Sequence, residues 1–135
     1  MNRYLLDTQA AVWLLVNSDD FPAYLREELQ YAESQFHLSY LSIVEMIHLR
    51  QCKKIDIPED GKKMISDIVK RNITLVPLDN KALVTLSELP LDRSFHSDPF
   101  DRAIISTAIC RKFSLISSDK KFPAYRQFGL DLIEI

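Results

Sequence analysis

The sequence predicts an α/β fold: a three-layer α/β/α sandwich around a parallel sheet of about five strands. Three observations carry that expectation. Short β-type runs recur at residues 4–6, 36–41, 73–78, 114–117 and 131–135. Segments with apolar residues at helical spacing lie between most of them. Strands joined through helices require right-handed crossovers, and hence a parallel sheet covered on both faces. A length of 135 residues, against about 150 per domain, leads us to expect one domain over residues 1–135.

Tyr4, Leu5 and Leu6 suit a buried strand. The run stops at Asp7-Thr8, either of which can cap a helix through Trp13, Leu14 and Leu15. Pro22 sits near the start of a second helix, expected over 21–34, with Leu25, Leu29 and Ala32 at helical spacing. Residues 36–41 alternate and read as the second strand. Ser42 then caps a helix to about Gln51, with Glu45 completing a capping box. The polar stretch Pro58-Glu59-Asp60-Gly61 precedes a helix with Met64, Ile65, Ile68 and Val69 on one side. Residues 73–78 form the third strand, and Asp79 opens a helix through Leu83 and Leu86. Residues 90–97 are expected to be a loop. Asp98-Pro99 opens the clearest helix, with an Asp cap, Pro at the first helical position and apolar residues at 104, 105, 108 and 109. Ser114-Leu115-Ile116-Ser117 is the fourth strand, ended by Asp119, and 131–135 the fifth.

Composition excludes several function classes. With 47% hydrophobic and 27% charged residues, the chain lies in the globular range rather than the disordered one. The longest apolar run, residues 10–16, falls far short of the roughly 20 residues of a membrane helix. An Asp by position 7 fits no signal-peptide core, so no membrane association is expected. Cys52 and Cys110 form no CxxC pair and cannot build a zinc site alone. Free thiols suit a cytoplasmic protein. A net charge of -2 argues against polyanion binding through bulk positive charge, while leaving room for a local basic patch. Gly61 and Gly129 are the only glycines. No glycine-rich phosphate loop exists, so the dinucleotide fingerprint and the Walker loop are both absent.

The acidic residues are more informative. Ligand sites in open α/β sheets lie beyond the carboxyl ends of the strands. Asp7 follows the first strand, Asp119 follows the fourth, and Asp98 and Asp101 enter the helix before the fourth. Glu45 joins them from the helix after the second strand, sharing a stripe with Leu41 and Leu49. Each has an ordinary structural reading: Asp7 and Asp98 as helix caps, Glu45 in a capping box, Asp101 at the positive end of a helix dipole, Asp119 capping a turn. Those readings do not account for several acids aimed at one sheet edge. Carboxylates packed together repel, and a hard divalent cation relieves the conflict through oxygen ligands. An all-carboxylate set points to Mg²⁺ or Mn²⁺ and phosphoester chemistry rather than zinc.

The stretches LLDTQAAVWLL (5–15), Ser42-Ile43-Val44-Glu45, HSDPFDRAIISTA (96–108) and LISSDKKF (115–122) resemble the PIN-domain ribonucleases, and most closely the VapC-like toxins of bacterial toxin–antitoxin pairs. The resemblance covers nearly the whole chain in order. The DPFDR stretch is its most specific motif. It implies a PIN-like α/β/α sandwich, Mg²⁺-dependent (or Mn²⁺-dependent) cleavage of single-stranded or loop RNA, a small antitoxin partner and frequently a homodimer. Carried over by position, Asp7 is the first family acid, Glu45 the second and Asp119 the last. The third is Asp101 or Asp98. Asp101 is favoured as the metal-binding acid and Asp98 as cap or outer ligand, although Ile105 replaces a usually small residue. Thr8 matches the family hydroxyl beside the first Asp and is expected to fix that carboxylate. Ser117 or Ser118 is expected to do the same near Asp119.

Arg102, Lys120 and Lys121 directly follow proposed ligands and are candidates to steer RNA towards the acidic pocket. His96 reads as a loop residue, and His37 and His48 as ordinary surface or boundary residues. Trp13 reads as core or dimer interface. A phosphoacceptor receiver is disfavoured because the first strand ends in a single Asp. A DxDxT phosphatase motif is absent, Asp7 being followed by Thr8-Gln9. The alternatives that stay open are a catalytically degenerate PIN-like module that binds RNA or protein, and a housekeeping nuclease without an antitoxin.

Overall fold

The strand runs of the sequence become a single sheet whose central strands are buried at their carboxyl ends, while the edge strands keep exposed residues. The computed structural model describes residues 2–57, 60–91 and 98–135. Strands β1 (Asn2–Leu6), β2 (Ser34–Ser39), β3 (Ile73–Val76), β4 (Ser114–Ser117) and β5 (Asp131–Glu134) form one sheet in the order β3-β2-β1-β4-β5. Every pairing is parallel. From β1 the chain winds outward through β2 to β3, then crosses back to lay β4 against the other side of β1. The strand order therefore reverses at the β1–β4 seam, where a crevice opens beyond the carboxyl ends of both strands.

Side chains alternate across the sheet as the pleat requires. Tyr4, Leu6, Phe36, Leu38 and Ile116 pack into one core with α1 (Thr8–Leu15), α2 (Ala23–Glu28), α3 (Tyr40–Gln51) and α4 (Gly61–Lys70). Leu5, Leu115 and Leu132 face the opposite core, built with α6 (Pro99–Arg111) and a 3-10 helix over Phe122–Phe128. There α6 packs against α5 (Asn80–Glu88). Trp13 is half-buried against the first core.

Several boundaries differ from expectation. The second helix spans only Ala23–Glu28, with Pro22 at its cap position. Glu28 is tied down by the Tyr4 hydroxyl, which donates to its carboxylate, and by the Ser34 hydroxyl, which donates to the same oxygen at 2.5 Å. α3 begins at Tyr40 rather than after Ser42. Its cap is Ser39, whose hydroxyl accepts from the Leu41 N–H. The third strand stops at Val76. The Asp7, Asp79 and Asp98 caps form as expected. Residues 58–59 and 92–97, including His96 and most of the expected 90–97 loop, lie outside the described residues.

Candidate active site

Asp7, Glu45, Asp101 and Asp119 line one cleft of about 270 Å³ beyond the carboxyl ends of β1 and β4, together with Thr8, Gln9, Val12, Leu49 and Ser118. The acids come from four places in the chain: the end of β1, the middle of α3, the first turn of α6 and the turn after β4. Larger hollows exist elsewhere, one of about 1000 Å³ beside β2 and β3, but the crowding of carboxylates singles out the smaller one.

Asp7 is buried, although it carries an ionisable group. One carboxylate oxygen accepts from the Thr8 N–H at 2.8 Å, and the other from the Ser117 hydroxyl at 2.8 Å. Both donors are neutral. Burial drives its pKa from the usual 3.8 up to about 7. The Asp101 and Glu45 charges add to the rise, against the opposing Ser117 and Thr8 hydrogen bonds. Glu45 is likewise pushed upward, chiefly by burial and further by Asp101 and Asp98, while the Thr8 hydroxyl opposes the shift.

The supporting hydroxyls are arranged differently from the sequence reading. Thr8 holds Asp7 through its backbone N–H, while its hydroxyl donates to Glu45 Oε1 at 2.7 Å. The same hydroxyl lies 3.0 Å from Ser42 Oγ. Thr8 has a single hydroxyl hydrogen, and the carboxylate is the stronger acceptor. Ser42, expected as a helix cap, is instead buried within α3 as the third member of a Ser42–Thr8–Glu45 chain. Its position three residues before Glu45 was the available signal, and it fits a capping box equally well. Ser117 holds the first acid rather than the last: its hydroxyl binds Asp7 and accepts from the Asp119 N–H at 3.0 Å. Ser118 lines the cleft. Gln9, Val12 and Leu49 line it too; Gln9 and Val12 fall within the 5–15 stretch and Leu49 on the Glu45 stripe, but no feature of the sequence singles them out as cleft residues.

Asp98 is absent from the lining of the cleft. Its carboxylate accepts from the Phe100 and Asp101 N–H groups at 2.8 and 3.3 Å, so it caps α6. Arg102 corrects an expectation outright. It is buried, and its guanidinium donates to the carbonyls of Pro90 and Leu89 at 2.9 and 3.2 Å. That side chain ties α6 to the end of α5. Lys120 and Lys121 are exposed beside the cleft, and the Lys121 N–H donates to Asp119 Oδ1 at 2.8 Å. His37 is buried, stacked on Phe113 with ring centroids 4.3 Å apart, and is no surface residue.

The donor set fits a hard divalent cation: the acidic groups are oxygen ligands throughout, and the most buried carboxylate is held by neutral donors beside two others. Among the described residues, no three His, Cys, Asp or Glu groups already stand as a closed ligand set.

Comparison with known proteins gives the family and the fold. A PIN-domain family model matches residues 4–127. The chain belongs to the PIN-domain family. Its fold is similar to that of VapBC2 from Rickettsia felis, solved bound to a DNA fragment from its promoter, with a TM-score of 0.72, 20% identity and 98% of each chain covered. DNA-bound VapBC from Salmonella typhimurium matches with a TM-score of 0.64 at 18% identity, over 99% of this chain and 98% of that one. VapBC-5 of Mycobacterium tuberculosis, a member of the VapBC family of toxin–antitoxin systems, matches with a TM-score of 0.62 at 18% identity over both whole chains. No curated protein sequence matches this PIN domain significantly. Among the described residues no helix is long and apolar enough to cross a membrane.

Proposed function

We propose that this PIN domain is a metal-dependent endoribonuclease that cleaves single-stranded or loop RNA and serves as the toxin of a toxin–antitoxin pair. The observation that carries the reading is the gathering of Asp7, Glu45, Asp101 and Asp119 in one cleft at the β1–β4 seam. A bound Mg²⁺ or Mn²⁺ supplies activation of water and neutralisation of charge on the scissile phosphate. Asp7, Asp101 and Asp119 are its ligands in this proposal, and Glu45 completes the set or orients water. Ser117 and the Thr8 N–H hold the Asp7 carboxylate in one rotamer. The Thr8 hydroxyl does the same for Glu45. Asp98 places the first turn of α6, and with it Asp101, and its charge adds to the field on Glu45. Lys120 and Lys121 stand where they can meet the RNA backbone. No side-chain nucleophile is required.

The toxin role draws support from the fold shared with VapBC complexes. The expected partner is a small antitoxin that covers the acidic cleft, for which an Arg is the best-suited side chain because it pairs with carboxylates in bidentate fashion. A homodimer is part of the same proposal. The test is cleavage of a single-stranded RNA by the purified chain in Mg²⁺, with EDTA and Asp7→Asn as controls. Cleavage abolished by both supports the reading, and cleavage that survives either one refutes it. Growth arrest on expression, relieved by the product of the neighbouring upstream reading frame, tests the toxin role. Arrest without relief counts against the pairing.

A further inference from the structure

The last turn of α3 carries a pair of soft donors apart from the acidic cleft. His48 and Cys52 are four residues apart, the spacing that stacks two side chains on one face of a helix. Cys52 is the cap residue of α3, yet its N–H still donates to the His48 carbonyl at 2.9 Å, so the helical spacing holds through it. The side chains meet as well: Cys52 Sγ lies 3.7 Å from His48 Nε2. Both residues are exposed. Among the described residues each side chain has the other as its sole partner, and neither lines the acidic cleft.

That separation matches the bite of a metal ion. Zinc binds thiolate sulfur at about 2.3 Å and imidazole nitrogen at about 2.0–2.1 Å. Two such donors at a tetrahedral angle stand about 3.6 Å apart, against 3.7 Å between Sγ and Nε2. The donors therefore need almost no movement to share an ion, and the contact given up is the weak one between them. Backbone and side chains join the same two residues, which fixes the bite before any ion arrives. Donor softness selects the ion. Thiolate and imidazole suit Zn²⁺, whereas Mg²⁺ takes oxygen ligands. Arg50, Lys53 and Lys54 flank the pair in sequence and oppose a cation, which restricts the site to one that bonds strongly to sulfur.

We propose that His48 and Cys52 form a bidentate site for a borderline-soft divalent cation, Zn²⁺ by its chemistry, at the carboxyl end of α3. It is separate from the acidic cleft and independent of the nuclease reading. Binding replaces the thiol proton by the metal and releases that proton to solvent. Among the described residues no third His, Cys, Asp or Glu completes the set. Two tetrahedral positions are left for water, the arrangement of an accessible zinc site rather than a closed structural one. A bound ion bridges one turn and pins the end of the helix that carries Glu45 into the cleft.

The probe is Co²⁺, a spectroscopic substitute for Zn²⁺, added in excess Mg²⁺ to the full chain after metal is stripped with EDTA and the chelator dialysed away. A thiolate-to-cobalt charge-transfer band in the near ultraviolet is expected, displaced by Zn²⁺ and unaffected by further Mg²⁺. Cys52→Ser should abolish it, while Cys110→Ser, which removes the chain's only other thiol, should keep it. His48→Gln should weaken binding by about tenfold or more, the least that loss of an outer-shell partner costs a metal site. Both ligand positions are exposed, so these variants should melt like wild type without metal. A second measurement follows the thiol itself. In Cys110→Ser, Zn²⁺ should slow alkylation of Cys52, and adding His48→Gln should remove most of that protection. A band that survives Cys52→Ser, is unchanged by His48→Gln or is lost to Mg²⁺ overturns the site. No band, or equal alkylation with and without Zn²⁺, also overturns it and leaves the pair a hydrogen bond only.

Discussion

Replacing Asp7 by Asn tests the electrostatics of the cleft without any substrate. In the folded protein the carboxyl titrates near 7 instead of 3.8. Between those values the native state binds more protons than the unfolded chain, so stability falls as pH rises. At pH 8 the full cost of the buried charge is about 4 kcal/mol, at about 1.4 kcal/mol per pH unit. Asn keeps the helix cap, since its side-chain oxygen can accept from the Thr8 N–H. It loses the acceptor for the Ser117 hydroxyl, a cost of about 1 kcal/mol. The net expectation at pH 8 is a gain of about 3 kcal/mol in metal-free protein, of order 10 °C in Tm for a domain of this size. At pH 5 the wild-type carboxyl is protonated in the fold, and most of the cost is gone. The advantage of Asn should shrink there to within about 1 kcal/mol. Thermal melts of both proteins in EDTA at pH 5 and pH 8 measure the difference. An equal difference at the two pH values, or an Asn variant less stable at pH 8, refutes the account of a desolvated charge held by neutral donors.

Other substitutions address neighbouring parts of the site. Asp98→Asn should keep the α6 cap and most RNase activity, whereas Asp101→Asn should lose activity by orders of magnitude. The reverse outcome makes Asp98 the ligand, and two active variants remove the acid cluster from catalysis. Thr8→Val strips the hydroxyl between Ser42 and Glu45 and should destabilise the fold by about 1–3 kcal/mol, with Thr8→Ser restoring most of it. Equal melting of all three proteins removes the hydroxyl chain from the account. Arg102→Met should lower stability by a similar amount, by orphaning the Leu89 and Pro90 carbonyls, without weakening RNA binding by the folded fraction. Loss of binding at unchanged Tm restores Arg102 to the RNA path.

The strands are readable because a strand buried on both faces is a short apolar run whatever surrounds it. The acids are readable for a related reason: once the runs alternate with helices, each strand's carboxyl end lies on one edge, and so does the residue after it. The misplaced start of α3 has a tertiary cause. Ser39 and Ser42 are both good caps, and the choice is made by β2, which stays paired through Ser39 opposite Val76 of β3. No local pattern contains that register. Arg102 fails the same way. Beside two acids it reads as an exposed cation, and only the position of the α5 end, fixed by its packing on α6, supplies the carbonyls that bury it. The roles of Thr8 and Ser117 are misassigned for want of side-chain directions: the Ser117 hydroxyl takes Asp7, and the Thr8 hydroxyl takes Glu45 instead of Asp7. Both hydroxyls stand out in the sequence, but the carboxylate that Thr8 reaches depends on α1 lying against α3, and the one that Ser117 reaches depends on the approach of β1 to β4.

That approach joins residues far apart along the chain: the Ser117 hydroxyl and the Asp7 carboxylate it binds are separated by 110 positions. Loop-closure entropy makes such pairings late and slow relative to local ones, and all-parallel sheets with long crossovers fold with high contact order. A partly folded chain can therefore complete α1, α3 and the β1–β2–β3 half of the sheet while the cleft still lacks Asp101, Asp119 and the hydroxyl that orients Asp7. Assembly of the acidic centre is consequently a report on the last long-range step of folding. In a refolding experiment, competence to bind a divalent cation should lag behind the recovery of helical signal.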